Sequence, residues 1–84
     1  MIHHLMAIRD EAVGAFQLPF FVRSTGEATR GFSDAVNNPE TPFYKHSKDF
    51  TLWMLGTFDD NAGTFDIPPS PELVVLGMNL KNKA

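Results

Sequence analysis

The stretch "TLWMLGTFDDNAGTFDI", residues 51–67, constrains the fold of this chain more than any other. Its alternation suits a β-strand, with Leu52, Met54 and Phe58 on one face and Trp53 and Leu55 on the other. The residues of "DDNAG" tolerate left-handed backbone angles, and "TFDI" returns as a partner strand. A hairpin follows, with Phe58 and Phe65 flanking the turn and meeting across it. Trp53, between Leu52 and Met54, is assigned to the core.

A second strand is written in "IHHLMAIR", Ile2 to Arg9, which alternates Ile2, His4, Met6 and Ile8 against His3, Leu5, Ala7 and Arg9. In "AVGAFQLPFFV", Gly14 and Pro19 predict an irregular excursion followed by a short strand over Phe20 to Arg23. The clearest helix begins at Ser24, three residues before Glu27, in the arrangement of a capping box. From there Ala28, Phe32, Ala35 and Val36 form one apolar stripe, and Asn37, Asn38 and Pro39 stop the helix. Gly31, inside it, predicts close approach of another backbone, from the sheet or from a second subunit. Residues 39–50 read as an ordered loop.

"PPSP" at 68–71 is a stiff spacer, and "ELVVLGMNL" then pairs as an edge strand or forms a short helix, ahead of a frayed "KNKA". No internal repeat is visible. The expected architecture is α+β: one helix packed on a small, mostly antiparallel sheet, with residues 1–67 as the compact domain and 68–84 as a Pro-rich spacer and C-terminal strand or tail.

At 84 residues without cysteine, the chain is one small domain that buries only about 60 to 65% of its unfolded surface. Disulfides and cysteine-based metal or redox sites are excluded, so oligomerisation, here a homodimer, is the remaining way to reinforce a small core. No basic-then-apolar leader and no run near the ~20 residues of a membrane span are present, which predicts a soluble, cytosolic protein. The net charge of −3 gives no global basic footprint for nucleic acid, so any such contact must be local.

Catalytic and metal chemistry find little support in the residues. His3 and His4 are adjacent and point to opposite faces of a strand, and His46 lies far away in a loop. Asp59 and Asp60 occupy a turn, where Asp serves the backbone. With no nucleophile motif, phosphate loop or HExxH, the expectation is a nonenzymatic protein without metal or cofactor. The stretch "FYKHSKDF" is more informative: it sets Phe43, Tyr44 and Phe50 around Lys45, His46 and Lys48. Rings that stack on bases, mixed with cations that neutralise phosphates, are what single-strand binding requires. Arg23 and Arg30, around the N-terminal half of the helix, form a weaker patch, opposed by Glu27.

Taken in order, "IRDEAVGAF", "PFF", "GEATRGFSDAVNNPETPFYKH" and "KDFTLWMLGTFDDNAGTF" resemble the small nonstructural protein of gokushovirus-type microviruses, which are single-stranded DNA phages. The shared elements fall on Asp10, Pro19 to Phe21, Glu27 to Phe32, and Leu52 to Asp60 with Gly63. They span residues 6–67 and leave the last 17 of the 84 residues outside. The resemblance implies a role in phage DNA replication or packaging in the cytoplasm of the infected bacterium. It transfers no site residues. Single-stranded DNA is the partner expected at Arg23, Arg30, Phe43, Tyr44, Lys45, His46 and Lys48. The alternative is an adaptor that contacts a phage replication or capsid component, or a host factor, through an open edge strand at Leu73 to Leu76.

Overall fold

The structure, a computed structural model, describes residues 1–82. In chain order its elements are β1 (Ile2–Asp10), β2 (Ala15–Phe16), β3 (Phe20–Val22), α1 (Thr25–Val36), α2 (Pro42–Lys45), a 3-10 turn (Ser47–Asp49), β4 (Phe50–Asp59), β5 (Thr64–Asp66), β6 (Glu72–Leu76) and α3 (Gly77–Leu80). The two long strands β1 and β4 pair antiparallel along their lengths, with Met6 opposite Met54. β2 and β3 share the outer edge of β1, and β5 and β6 share the outer edge of β4. The class is α+β, with three helical segments where one was expected. Only α1 exceeds a single turn.

The core lies between this sheet and α1. Ala28, Phe32 and Val36, the apolar stripe of the helix, meet Met6, Phe50 and Leu52 of the central strands, and Ile8, Phe20, Val22 and Met54 surround them. The helix starts as its cap dictates, since Ser24 Oγ accepts the Glu27 N–H at 3.1 Å. The Glu27 carboxylate, however, turns to Arg23 at 3.6 Å instead of closing the box. Its far end is tied down by Asn37, whose Nδ2 donates to Ser33 O and to Leu80 O and whose Oδ1 accepts the Asn82 N–H.

Residues 39–50 are helical in two short pieces rather than a loop. Thr41 caps α2 by accepting the Tyr44 N–H, with Pro42 at the first helical position, where its missing donor costs nothing. The C-terminal segment both pairs and coils: β6 lies beside β4, and α3 packs against α1 and the 3-10 turn. Val74, Val75 and Leu80 pack against the core. Residues 72–80 thus belong to the same sheet and core as residues 2–67. Lys81 and Asn82 are held by hydrogen bonds rather than frayed, and the rest of "KNKA" lies outside the described residues.

Gly31 faces open space, so no backbone among the described residues explains its missing side chain.

The fold contains a repeat that the sequence reading missed. "DEAVGAFQLP" (10–19) and "DDNAGTFDIP" (59–68) share Asp, Gly, Phe and Pro at the same spacing. In both, the Asp carboxylate accepts the N–H two residues on, at 3.0 Å for Asp10 and 2.9 Å for Asp59. In both, the Asp carbonyl accepts the N–H of the glycine, and Gly14 and Gly63 have φ of 77° and 69°. The excursion after β1 is therefore a second hairpin. Each half runs long strand, Asp-x-x-x-Gly turn, short strand, proline break, short strand and helix. The two halves thus repeat one element order and face each other across the antiparallel β1–β4 pair.

Leu55 breaks the repeat and corrects the face assignments. The register steps from Leu5–Gly56 to Met6–Met54, so Leu55 is a one-residue bulge in β4. Beyond it the alternation inverts. Phe58 pairs with His3 and Trp53 with Ala7, which places both on the face of His3, Leu5, Ala7 and Arg9, away from the helix. Phe58 does not share a face with Leu52 and Met54, and Trp53 is not in the helix-side core. Phe58 and Phe65 do meet, with ring centroids 4.9 Å apart.

At the β4–β5 turn the Met1 ammonium and His3 Nε2 both contact Asp60, at 2.6 and 2.8 Å. The ammonium hydrogen bond first, and then His3, hold the Asp60 carboxyl below its ordinary 3.8. A depressed folded-state value gives a stabilisation present above the unfolded pKa and lost as pH falls through the folded one. The Asp60→Asn variant is therefore expected to have a lower urea midpoint than the parent at neutral pH. The gap should close on acidification to about pH 2. A constant gap would remove the ion pair as its origin.

Candidate nucleic-acid interface

The candidate residues divide into three groups by position. Phe43 belongs to the core, with its ring edge-on to Phe50 at 4.6 Å and to Phe32 at 6.2 Å. It is half-buried and engaged with these two rings. Arg23 precedes the N-cap of α1 and pairs with Glu27, while Thr41 Oγ1 binds Ala35 O and fixes α2 at the other end of the helix. A helix of 12 residues is about 18 Å long, so Arg23 is set apart from α2 by that span. Arg30 is exposed midway along α1.

Tyr44, Lys45, His46 and Lys48 do come together, at the corner made by α2 and the 3-10 turn. Lys45, His46 and Lys48 are exposed, and Tyr44 is half-buried. His46 also borders a depression it shares with Asp10 and Asp49, which makes it a poor phosphate contact. The structure adds a residue that sequence spacing concealed. Lys81, 37 positions after Tyr44, donates to Tyr44 O at 2.7 Å and stands 4.0 Å above its ring. This cation–π contact leaves two ammonium protons for another acceptor.

Charge pairing separates this corner from the rest of the surface. Among the described residues, His3, Arg9 and Arg23 each pair with a carboxylate, of Asp60, Glu11 and Glu27 respectively. Lys45, Lys48, Lys81 and Arg30 are in no salt bridge among the described residues. An anionic ligand would meet three unneutralised lysines at the α2 corner, whereas Arg30 stands singly midway along α1 and Arg9 and Arg23 are neutralised.

The family model of the Phage ORF5 protein matches residues 3–80, from the second residue of β1 to the end of α3. The chain belongs to the Phage ORF5 protein family. The match reaches through β6 and α3, beyond the residues on which the microvirus resemblance rests, in keeping with their place in the core. No curated protein and no solved structure matches the chain. Among the described residues no helix is long and apolar enough to cross a membrane.

Proposed function

We propose that this phage protein is nonenzymatic and acts in viral DNA replication or packaging in the infected bacterium's cytoplasm, by binding single-stranded DNA weakly as an oligomer. The observation that carries this reading is Lys81 held over the Tyr44 ring at the corner where α2 and the 3-10 turn carry exposed Lys45 and Lys48, with no carboxylate paired to any of the three lysines among the described residues. The lysines would take phosphates, and the open side of the Tyr44 ring would take a base, a contact worth roughly 1 to 3 kcal/mol. The resemblance to gokushovirus-type proteins and membership of a phage family support the setting.

Three phosphates neutralised on a single strand correspond to a slope of about −2 in log K against log salt. Lys45→Glu with Lys48→Glu is expected to bring that slope near zero and weaken binding at least tenfold, with the melting temperature nearly unchanged because both side chains are exposed. An unaltered slope would take the corner out of the interface.

The adaptor reading keeps one specific support. Among the described residues no strand pairs with the outer edge of β6, and Leu73 on it is exposed, so a partner's strand could add there. Salt-insensitive capture of a phage protein by a chain that ignores DNA would favour it.

A further inference from the structure

Half of the aromatic side chains are outside the core. Phe16, Phe21, Trp53, Phe58 and Phe65 lie on the sheet face that no helix among the described residues covers. Phe21, Phe58 and Phe65 contact one another with His3 beside Phe58, and Phe16 stands edge-on to Trp53 at 5.9 Å. The Phe65 and Phe21 side chains are 58% and 52% exposed. An antiparallel sheet with one solvated face ordinarily carries polar residues there. A continuous apolar face on a small soluble domain marks a contact surface.

We propose that this face packs against the same face of a second copy, so that two sheets form a shared aromatic core with α1 of each chain outside. The inference stands whether or not DNA binds at the α2 corner. Charge selects a second copy over a nucleic acid strand. The basic groups on and around this face all have a carboxylate beside them, Asp60 for the Met1 ammonium and His3, Glu11 for Arg9 and Glu27 for Arg23, so a polyanion would meet negative charge next to each of them. A second copy meets a rim of both signs, which suits an isologous contact in which each residue type faces its complement.

Area also suffices. β1 has nine residues, about 30 Å at ~3.3 Å each, and four strand positions at ~4.8 Å span about 19 Å. The projected face is then roughly 570 Å² per partner and about 1,100 Å² in all, above the ~1,000 Å² expected of a specific interface. Side-chain relief adds to it. Sheets packed this way lie about 10 Å apart, a spacing filled by side chains of this size. A dimer would also supply what a small chain without disulfides otherwise lacks.

Sedimentation equilibrium of the full chain at micromolar concentration tests the proposal. The parent should sediment at twice the 9.4 kDa chain mass. Phe21→Glu with Phe65→Glu should return it to a single-chain mass and raise the dimer Kd at least 30-fold. Its far-UV circular dichroism and cooperative melt should persist, because both rings are more than half exposed in the single chain. If that variant does not fold, the parent alone decides: on dilution through the dimer Kd, Trp53 emission should shift red and its quenching by iodide should rise. A parent that is monomeric throughout, or a dimer indifferent to both substitutions, would overturn the proposal. So would a monomer whose Trp53 is quenched by oligothymidylate, which would assign the face to stacked bases.

Discussion

Truncation after Ile67 is expected to abolish the cooperative thermal transition. A domain of 84 residues holds about 4 to 13 kcal/mol of net stability, at roughly 0.05 to 0.15 kcal/mol per residue. The deletion removes β6 from the side of β4 and Val74, Val75 and Leu80 from the core. Each of those side chains contributes up to about 1.5 to 3 kcal/mol if fully buried, and about half of that at their partial exposure. It also strips the Asn37–Leu80 hydrogen bond that closes the end of α1 and uncovers Leu52, which is fully buried in the intact chain. Differential scanning calorimetry of the 67-residue fragment should show no transition. A fragment that melts cooperatively near the parent's temperature would show that β6 and α3 are accessory.

Gly77→Ala acts on the same joint through a single atom. A Cβ at Gly77 would lie 2.6 Å from Ser47 O and 2.8 Å from Phe50 O, both backbone atoms, and 3.2 Å from the Phe32 ring. Backbone cannot yield as a side-chain tip does, so α3 must lift away from the 3-10 turn. Overpacking of this kind costs about 1 to 3 kcal/mol. The urea midpoint should fall accordingly, and Lys81 should lose its fixed position over Tyr44, weakening DNA binding along with stability. Gly31→Ala is the control, since its Cβ meets nothing and Ala is the better helix former by about 1 kcal/mol. Equal effects from the two substitutions would contradict the packing described for α3.

Local chemistry was legible in the sequence wherever a residue type answers a backbone need. Ser24 caps α1, Asn37 ends it, and Asp59 with Gly63 turns the β4–β5 hairpin, all as the residues imply. The matching turn at Asp10 and Gly14 escaped notice because Ala12 and Val13 stand where Asn61 and Ala62 stand in the other copy. The signal there is the Asp-to-Gly spacing rather than the turn's composition. The same blindness hid the repeat, whose identities are four scattered residues in ten.

The bulge at Leu55 explains the larger error. Strand alternation read from sequence assumes an unbroken period of two, and one extra residue moves Phe58 to the opposite face. Phe58, read on the face of Leu52 and Met54, thereby joins Trp53 on the open face, and Phe65 goes with it as its cross-strand partner. At the α2 corner the reading of Lys45 and Lys48 was local and sufficient, but Phe43 could be recognised as core only once α2 was docked on Phe32. Lys81 could not be found at all, because its approach to Tyr44 depends on β6 and α3 folding back along the sheet.

The most direct measurement is fluorescence anisotropy of a labelled single strand of about 30 nucleotides, long enough for two sites of roughly 4 to 16 each. It should be titrated with the full chain at low and moderate salt, with duplex DNA as competitor. Saturable binding that prefers the single strand and weakens with salt is the expected result, with a slope of about −2 for one lysine corner or about −4 if both corners of a dimer engage one strand. No saturable binding at low salt, or binding indifferent to salt, would contradict a DNA-binding role for the Lys45, Lys48 and Lys81 corner.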